Sequence, residues 1–190
     1  MFQWKRSLLM FCGLSLICGL IYPLIITLTA NIFFPEKAKG SIIKSGGQAV
    51  GSYLIGQQFT SPRYFHGRPS ATDPVYDAGN SGGSNLAPSN AKLIAQASGQ
   101  VQSIRMENDL TAGAAIPAEL VLASASGLDP HISPAAAYMQ AERVARERSI
   151  ERSEVEKLIK DNTEEPFLWI WGKERVNILI LNLALDGWKK

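Results

Sequence analysis

Two absences organise this 190-residue sequence. No charged residue occurs between Ser7 and Phe34, and no cysteine occurs after Cys18. At about 1.5 Å per residue, the uncharged run is longer than a hydrocarbon core of roughly 30 Å requires. The lack of later cysteines excludes disulfides and cysteine-ligated zinc from everything beyond the run. An excess of either charge is also missing. Lys5 and Arg6 are the only charges before Glu36, so 17 basic residues face 17 acidic ones in the remainder. A neutral remainder has no electrostatic footprint for nucleic acid or for an anionic membrane surface. Histidine is scarce too. His66 and His131 come without a spaced carboxylate cluster, so no metal site is expected.

What is present at the N-terminus reads as a membrane anchor over residues 1–34. A cleaved leader would have a shorter apolar stretch of about 7–15 residues. Here Ile32, Phe33 and Phe34 carry the apolar character past the poor cleavage site at Leu28-Thr29-Ala30. Pro23 inside the span is expected to kink it. Cys12, Ser15, Gly19 and Pro23 recur at helical spacing and form one stripe of small residues, a candidate helix–helix interface within the lipid bilayer. Orientation is not legible from charge: Lys5 and Arg6 on one side are balanced by Lys37, Lys39 and Lys44 on the other.

Residues 35–48 read as a polar connector, and 49–190 as one soluble domain of mixed α/β character. The expected fold class is therefore α+β, with one transmembrane helix ahead of a single soluble domain. A short strand is expected within Gly51–Gln57, then a long turn-rich loop from Ser61 to Asn90 holding four prolines. Ser89 is expected to cap a helix with Leu93, Ile94, Ala97, Val101 and Ile104 along one face. Pro117 suits a first helical position, with a short helix over Glu119–Ala125 and Gly127 past its end. Ser133 and Pro134 open a third helix, to about Arg148. Ser153 with Glu156 forms a capping box for a fourth, through Ile159. Val176–Leu185, rich in Val, Ile and Leu, reads as a buried strand.

Three constellations bear on chemistry. Ser81-Gly82-Gly83-Ser84-Asn85 offers backbone N–H groups to an anion, or else a turn that needs positive φ. It lacks the lysine and spacing of a P-loop. Asp129-Pro130-His131, with Ser124 and Ser126 just before it, has the residue types of a hydrolase but no nucleophile elbow. Tyr64, Phe65 and Arg68 sit in an aromatic, arginine-bearing loop that is either a partner-contact surface or a loop pinned to its own core. None of these makes a convincing catalytic site.

The motifs Leu54-Ile55-Gly56-Gln57, Tyr64-Phe65 with Arg68-Pro69-Ser70-Ala71, and Ser81-Gly82-Gly83-Ser84-Asn85-Leu86 are followed by Ser124-Ala125-Ser126-Gly127-Leu128-Asp129-Pro130-His131-Ile132-Ser133. The series ends with Arg175-Val176-Asn177 leading to Leu181-Asn182-Leu183-Ala184-Leu185-Asp186. In this order, behind a single N-terminal span, the sequence resembles the C subunit of the bacterial Kdp potassium-transporting P-type ATPase over nearly its whole length. Residues 99–115 and Trp169-Ile170-Trp171 depart from the family's usual pattern.

The resemblance implies a non-catalytic accessory subunit in the cell (inner) membrane. It also implies two partners: a potassium-channel-like subunit that handles potassium, and a P-type ATPase subunit that hydrolyses ATP. No cofactor bound by the chain itself is implied with this role. The family has also been described as a catalytic chaperone that raises ATP affinity, a role that maps to Ser81, Gly82 and Gly83. The same resemblance places the soluble domain outside the cytoplasm, which favours assembly and an ion-entrance role over direct contact with ATP.

Overall fold

The computed structural model describes residues 3–187. The chain divides between Ile43 and Lys44 into two compact units.

The first unit is helical. Helix α1 (Gln3–Leu16) passes through a π-helical turn (Ile17–Ile21) into α2 (Tyr22–Phe33), and a single turn, α3 (Pro35–Ala38), follows. The run Gln3–Phe33 is long and apolar enough to cross a membrane by length and composition. Pro23, in the first turn of α2, has no N–H to give the preceding turn, and its ring crowds the carbonyl four residues back. The π turn just before it is the local widening that absorbs this misfit. Polar side chains in the span close onto their own helix: Thr29 Oγ1 donates to Ile25 O at 2.7 Å and Asn31 Nδ2 to Thr27 O at 2.8 Å. These two side chains thereby have a partner that apolar surroundings would not supply.

The second unit is the mixed α/β domain expected from the sequence. Strands β1 (Ile42–Ser45) and β2 (Gln48–Ser52) form a two-stranded sheet. The turn between them is Gly46-Gly47, both at positive φ, +58° and +82°. Irregular chain then runs to Asn90. Beyond it come α4 (Ala91–Glu107), α5 (Ala118–Val121), β3 (His131–Ile132), α6 (Pro134–Arg148), α7 (Arg152–Asp161), β4 (Thr163–Glu164), β5 (Arg175–Asn177) and α8 (Ile178–Leu185). A three-stranded antiparallel sheet has the order β3-β5-β4, with Ile132 opposite Val176 and Thr163 opposite Val176 on the other side.

The core lies where α6, α7 and α8 meet this sheet. Helix α6 buries Ala137, Gln140, Ala141 and Val144, spaced i, i+3, i+4 and i+7, and its small alanines admit neighbours closely. Helix α7 adds Val155 and Ile159, and Phe65 from the long loop is wholly buried among them. Full burial of one such aromatic contributes about 1.5–3 kcal/mol.

Five sequence expectations are corrected. Val176–Leu185 is not a strand. Its first residues end β5, and Asn177 then caps α8 by accepting from the Ile180 amide at 3.2 Å. A short run buried on all sides has no periodicity that separates strand from helix. The strand sought in Gly51–Gln57 lies earlier and ends at Ser52, and Tyr53-Leu54-Ile55 form a turn. Asn90, not Ser89, caps α4, accepting from Lys92 N at 2.8 Å. Pro117 occupies the cap of α5 rather than its first turn, and the helix stops at Val121. Helix α7 starts from Glu151, so Ser153 lies inside it and no capping box forms. The cap expected for α6 is observed: Ser133 Oγ accepts from Ala136 N at 3.2 Å.

Candidate functional site

Arg68, Ser81 and Gly82 meet Asp129 and Ser126 where the loop 64–86 is knitted to the loop 123–131. Ser70 is the first stitch. Its hydroxyl donates to Gly127 O at 2.7 Å, and the Tyr76 amide donates to it at 3.2 Å. Thr72 continues the network, donating to Pro74 O at 2.9 Å and accepting from Asp77 N at 3.1 Å. Gly56 N donates to Leu128 O at 2.8 Å from the other flank.

Ser81, Gly82 and Gly83 run along the Ala125–Gly127 backbone. The Gly82 amide and the Ser81 hydroxyl both donate to Ser126 O, at 2.9 and 3.0 Å. Neither Gly82 nor Gly83 has positive φ, so the glycine pair is not a turn of that kind; Asn85, two residues on, takes φ +51°. What the glycines allow is close approach. A Cβ on Gly83 would lie 2.9 Å from Ala125 O, and one on Gly127 2.7 Å from Gly82 O and 2.6 Å from Thr72 Cγ2. Gly127 also needs glycine for its φ of +68°.

Beside this apposition opens a cavity of about 610 Å³, bounded by Ser70, Thr72, Ser84, Lys92, Gln96 and Gln100 among others. It exists because α4 stands off the core over most of its length. Of the expected stripe only Ile104 is buried, and Ile94 is more than half exposed.

Arg68 and Asp129 form the charged centre of the seam, with Arg68 Nη1 donating to Asp129 Oδ2 at 2.9 Å. Asp129 Oδ1 accepts from the His131 amide at 3.0 Å. Burial alone would raise the Asp129 pKa, but hydrogen bonds from His131 and Arg68 outweigh it and hold the value down at about 2. Tyr76, whose hydroxyl donates to Arg68 O, is pushed up to about 12 by burial and then by the Asp129 charge. The hydrolase constellation is not assembled. Ser126 Oγ accepts from the Leu128 amide, while His131 Nε2 is buried without a hydrogen-bond partner among the described residues.

The Tyr64–Arg68 loop is pinned to its own core. Phe65 is a core residue whose side chain offers nothing to a partner. Tyr64 donates to Asp186 Oδ2 at 2.9 Å, and the Arg148 guanidinium stacks 4.8 Å from its ring. Sequence reasoning missed the residues that do the pinning. Arg143, fully buried in α6, donates to Asn108 Oδ1 at 3.0 Å, to Tyr64 O at 3.0 Å and to Pro62 O. His66 stands between Ser61 O, 3.1 Å from Nε2, and Glu107, 3.3 Å from Nδ1. Burial, then the Arg143 charge, lowers its pKa against the opposing pull of Ser61 and Glu107. The signal for Arg143 was a lone arginine on the alanine face of α6. Among the described residues no group of three or more His, Cys, Asp or Glu side chains is placed to hold a metal ion.

In the anchor, Cys12, Ser15, Gly19 and Pro23 are all exposed in the isolated chain. The π turn falls between Ser15 and Pro23 and shifts the helical phase by about one residue. The four therefore do not form a single straight stripe: Cys12 and Ser15 keep α-helical spacing, Gly19 lies within the widened turn and Pro23 just beyond it.

A protein-family model described as "KdpC: K+-transporting ATPase, c chain" matches residues 4–187. The chain belongs to the KdpC family. A potassium-transporting ATPase KdpC subunit of Polaromonas naphthalenivorans is 50% identical over 186 residues, 97% of this chain and 94% of that protein. The KdpC subunit of Koribacter versatilis is 47% identical over 181 residues, 95% of this chain and 92% of its own length. That of Methylococcus capsulatus is 50% identical over 186 residues, 97% of both proteins. The KdpC match spans the apolar helix and the soluble unit alike, so the two parts are characteristic of the family together.

Proposed function

We propose that this chain is a non-catalytic accessory subunit of an ATP-driven potassium uptake pump. It is retained in the inner membrane by its single N-terminal span and works in assembly or stability of the complex. The observation that carries the reading is the near full-length KdpC match, which includes the apolar run Gln3–Phe33. The partners are a potassium-channel-like subunit and a P-type ATPase subunit that hydrolyses ATP. The test is copurification of the pump with the full chain and with a chain lacking residues 1–34. The anchored form should bring down stoichiometric partners and the truncated form should not. Equal recovery with both would sink the reading.

The soluble unit is proposed to lie outside the cytoplasm, where it could act on ion access. Ser81 is exposed, so a cysteine placed there is open to reagents. Ser81→Cys in a chain with Cys12 and Cys18 replaced by serine should react with a membrane-impermeant maleimide in intact cells. Labelling only after lysis would reverse the placement.

Direct contact of Ser81, Gly82 and Gly83 with ATP ranks second. The Gly82 amide and Ser81 hydroxyl already serve Ser126 O, which leaves few donors there for a phosphate. Photo-crosslinking of ATP to the full chain in detergent would favour this second reading, and the first expects none.

A further inference from the structure

Between β4 and β5 the chain extends into a hairpin whose tip is Phe167-Leu168-Trp169-Ile170-Trp171. The tip is closed by the Phe167 amide donating to Trp171 O at 2.9 Å and the Trp171 amide donating to Phe167 O at 3.0 Å. All five side chains are between 55% and 79% exposed. Five consecutive large apolar residues left in solvent on an otherwise well-packed unit mark an interaction surface. The tip is also built in a costly way. Leu168 and Trp169 take φ of +51° and +57°, a conformation that glycine or asparagine would adopt with less strain.

We propose that this tip inserts into the interfacial region of the lipid bilayer. Three observations favour lipid over protein. The chain carries a helix fit to cross a membrane, and only residues 34–43 separate its end from the soluble unit. At no more than about 3.6 Å per residue, those ten residues reach at most roughly 36 Å from Phe33 to Lys44. Next, the tip is a protruding turn. With all five neighbouring side chains exposed, a rigid partner would have to enclose it on several sides, whereas a fluid interface adapts to it. Finally, the composition is that of interfacial anchors: two tryptophans and a phenylalanine, with the Trp169 Nε1 donating to Glu165 Oε2 at 2.7 Å so that its polar edge is satisfied. Charge plays little part. The hairpin's Glu164, Glu165, Lys173, Glu174 and Arg175 nearly balance, and Arg175 pairs with Glu164 at 3.0 Å. Binding should therefore depend on apolar burial and hardly at all on anionic lipid.

The inference rests on the anchor remaining in the membrane, and the test separates the two. The full chain is reconstituted in phosphatidylcholine vesicles, and in parallel as part of the complete pump. A nitroxide is attached at Ile170→Cys in a Cys12→Ser, Cys18→Ser background, at the exposed Lys157→Cys as a water-facing control, and at native Cys18 in a Cys12→Ser chain as the span control. At position 170 collisions with oxygen should exceed those with a water-soluble nickel chelate, the ratio reversed at 157. Adding phosphatidylglycerol should leave it unchanged.

As a second readout without a cysteine at the tip, Trp4→Phe, Trp188→Phe chains should show Trp169 and Trp171 emission quenched by brominated phosphatidylcholine. A tip that collides with the nickel chelate in vesicles while Cys18 does not overturns the inference alone. Protection at 170 only in the complete pump overturns it in favour of a partner subunit. Water access at Cys18 overturns the anchor as well.

Discussion

The side-chain amide of Asn182 holds both backbone groups of Phe65, accepting from its N–H at 2.8 Å and donating to its C=O at 3.0 Å. Gln140 does the same for the next residue, accepting from His66 N at 2.8 Å and donating to His66 O at 3.1 Å. A stretch with no strand partner thus receives from two helices the hydrogen bonds a neighbouring strand would give it. This is how an irregular loop can pass through a core without unpaired backbone groups.

Asn182→Leu keeps the branched shape, with bulkier methyl groups in place of the amide, and removes the partner. It should leave the buried Phe65 N–H and C=O unsatisfied and destabilise the soluble unit by about 2–4 kcal/mol. Thermal unfolding of the full chain in detergent, followed by circular dichroism, checks this. A variant as stable as wild type would show that the amide clamp adds nothing.

Arg143 works at a larger scale, because one buried guanidinium serves Asn108, Pro62, Tyr64 and Gln140. Burial lowers its pKa, but a guanidinium is not deprotonated in proteins, so its hydrogen bonds are charge-assisted. Arg143→Met should cost about 3 kcal/mol or more. The loop 60–66 should also become sensitive to limited proteolysis before the rest of the unit unfolds. Uniform protease resistance would count against a specific hold on this loop.

These two residues also show where the sequence was legible. The anchor, the irregular stretch up to Asn90 and helix α6 follow from composition, proline and glycine placement, and a Ser-Pro cap, all local signals. Helix α8 was not legible, since Ile178–Leu181 are buried on every side and show no preferred face. In the candidate site, the Ser81–Gly83 segment stood out, but not what it meets. Gly83 is glycine because of Ala125 O, 42 positions away in the chain, and no pattern within the segment encodes that distance. Nothing local to Arg143 and Gln140 says what they hold, because that loop, residues 62–66, lies far away in the chain.

The glycines of the seam should differ sharply. Gly127→Ala puts a Cβ 2.6 Å from Thr72 Cγ2 at φ +68° and should cost about 1–3 kcal/mol. Gly83→Ala meets Ala125 O at 2.9 Å and should also destabilise. Gly82→Ala meets nothing within 4 Å and should change stability by less than about 0.5 kcal/mol. Denaturant midpoints of the three variants provide the comparison. An order other than Gly82 as the most tolerant would mean that the backbone apposition is not what restricts these positions.

Asp129 gives the domain an acid-sensitive joint whose sign can be worked out. Its carboxyl is held at about 2 in the folded protein, against an ordinary 3.8. As pH falls, the unfolded chain therefore binds this proton first. The stabilisation is complete above about pH 4, declines between 4 and 2, and is gone once the folded carboxyl is protonated. Asp129→Asn removes the titration and the full charge of the Arg68 pair together. The variant should be less stable than wild type at pH 7, and the gap should narrow as pH drops from 4 towards 2. The melting temperature of both proteins across that range decides the matter. A gap that stays constant down to pH 2 would mean that Arg68 and His131 do not hold the carboxylate as the geometry requires.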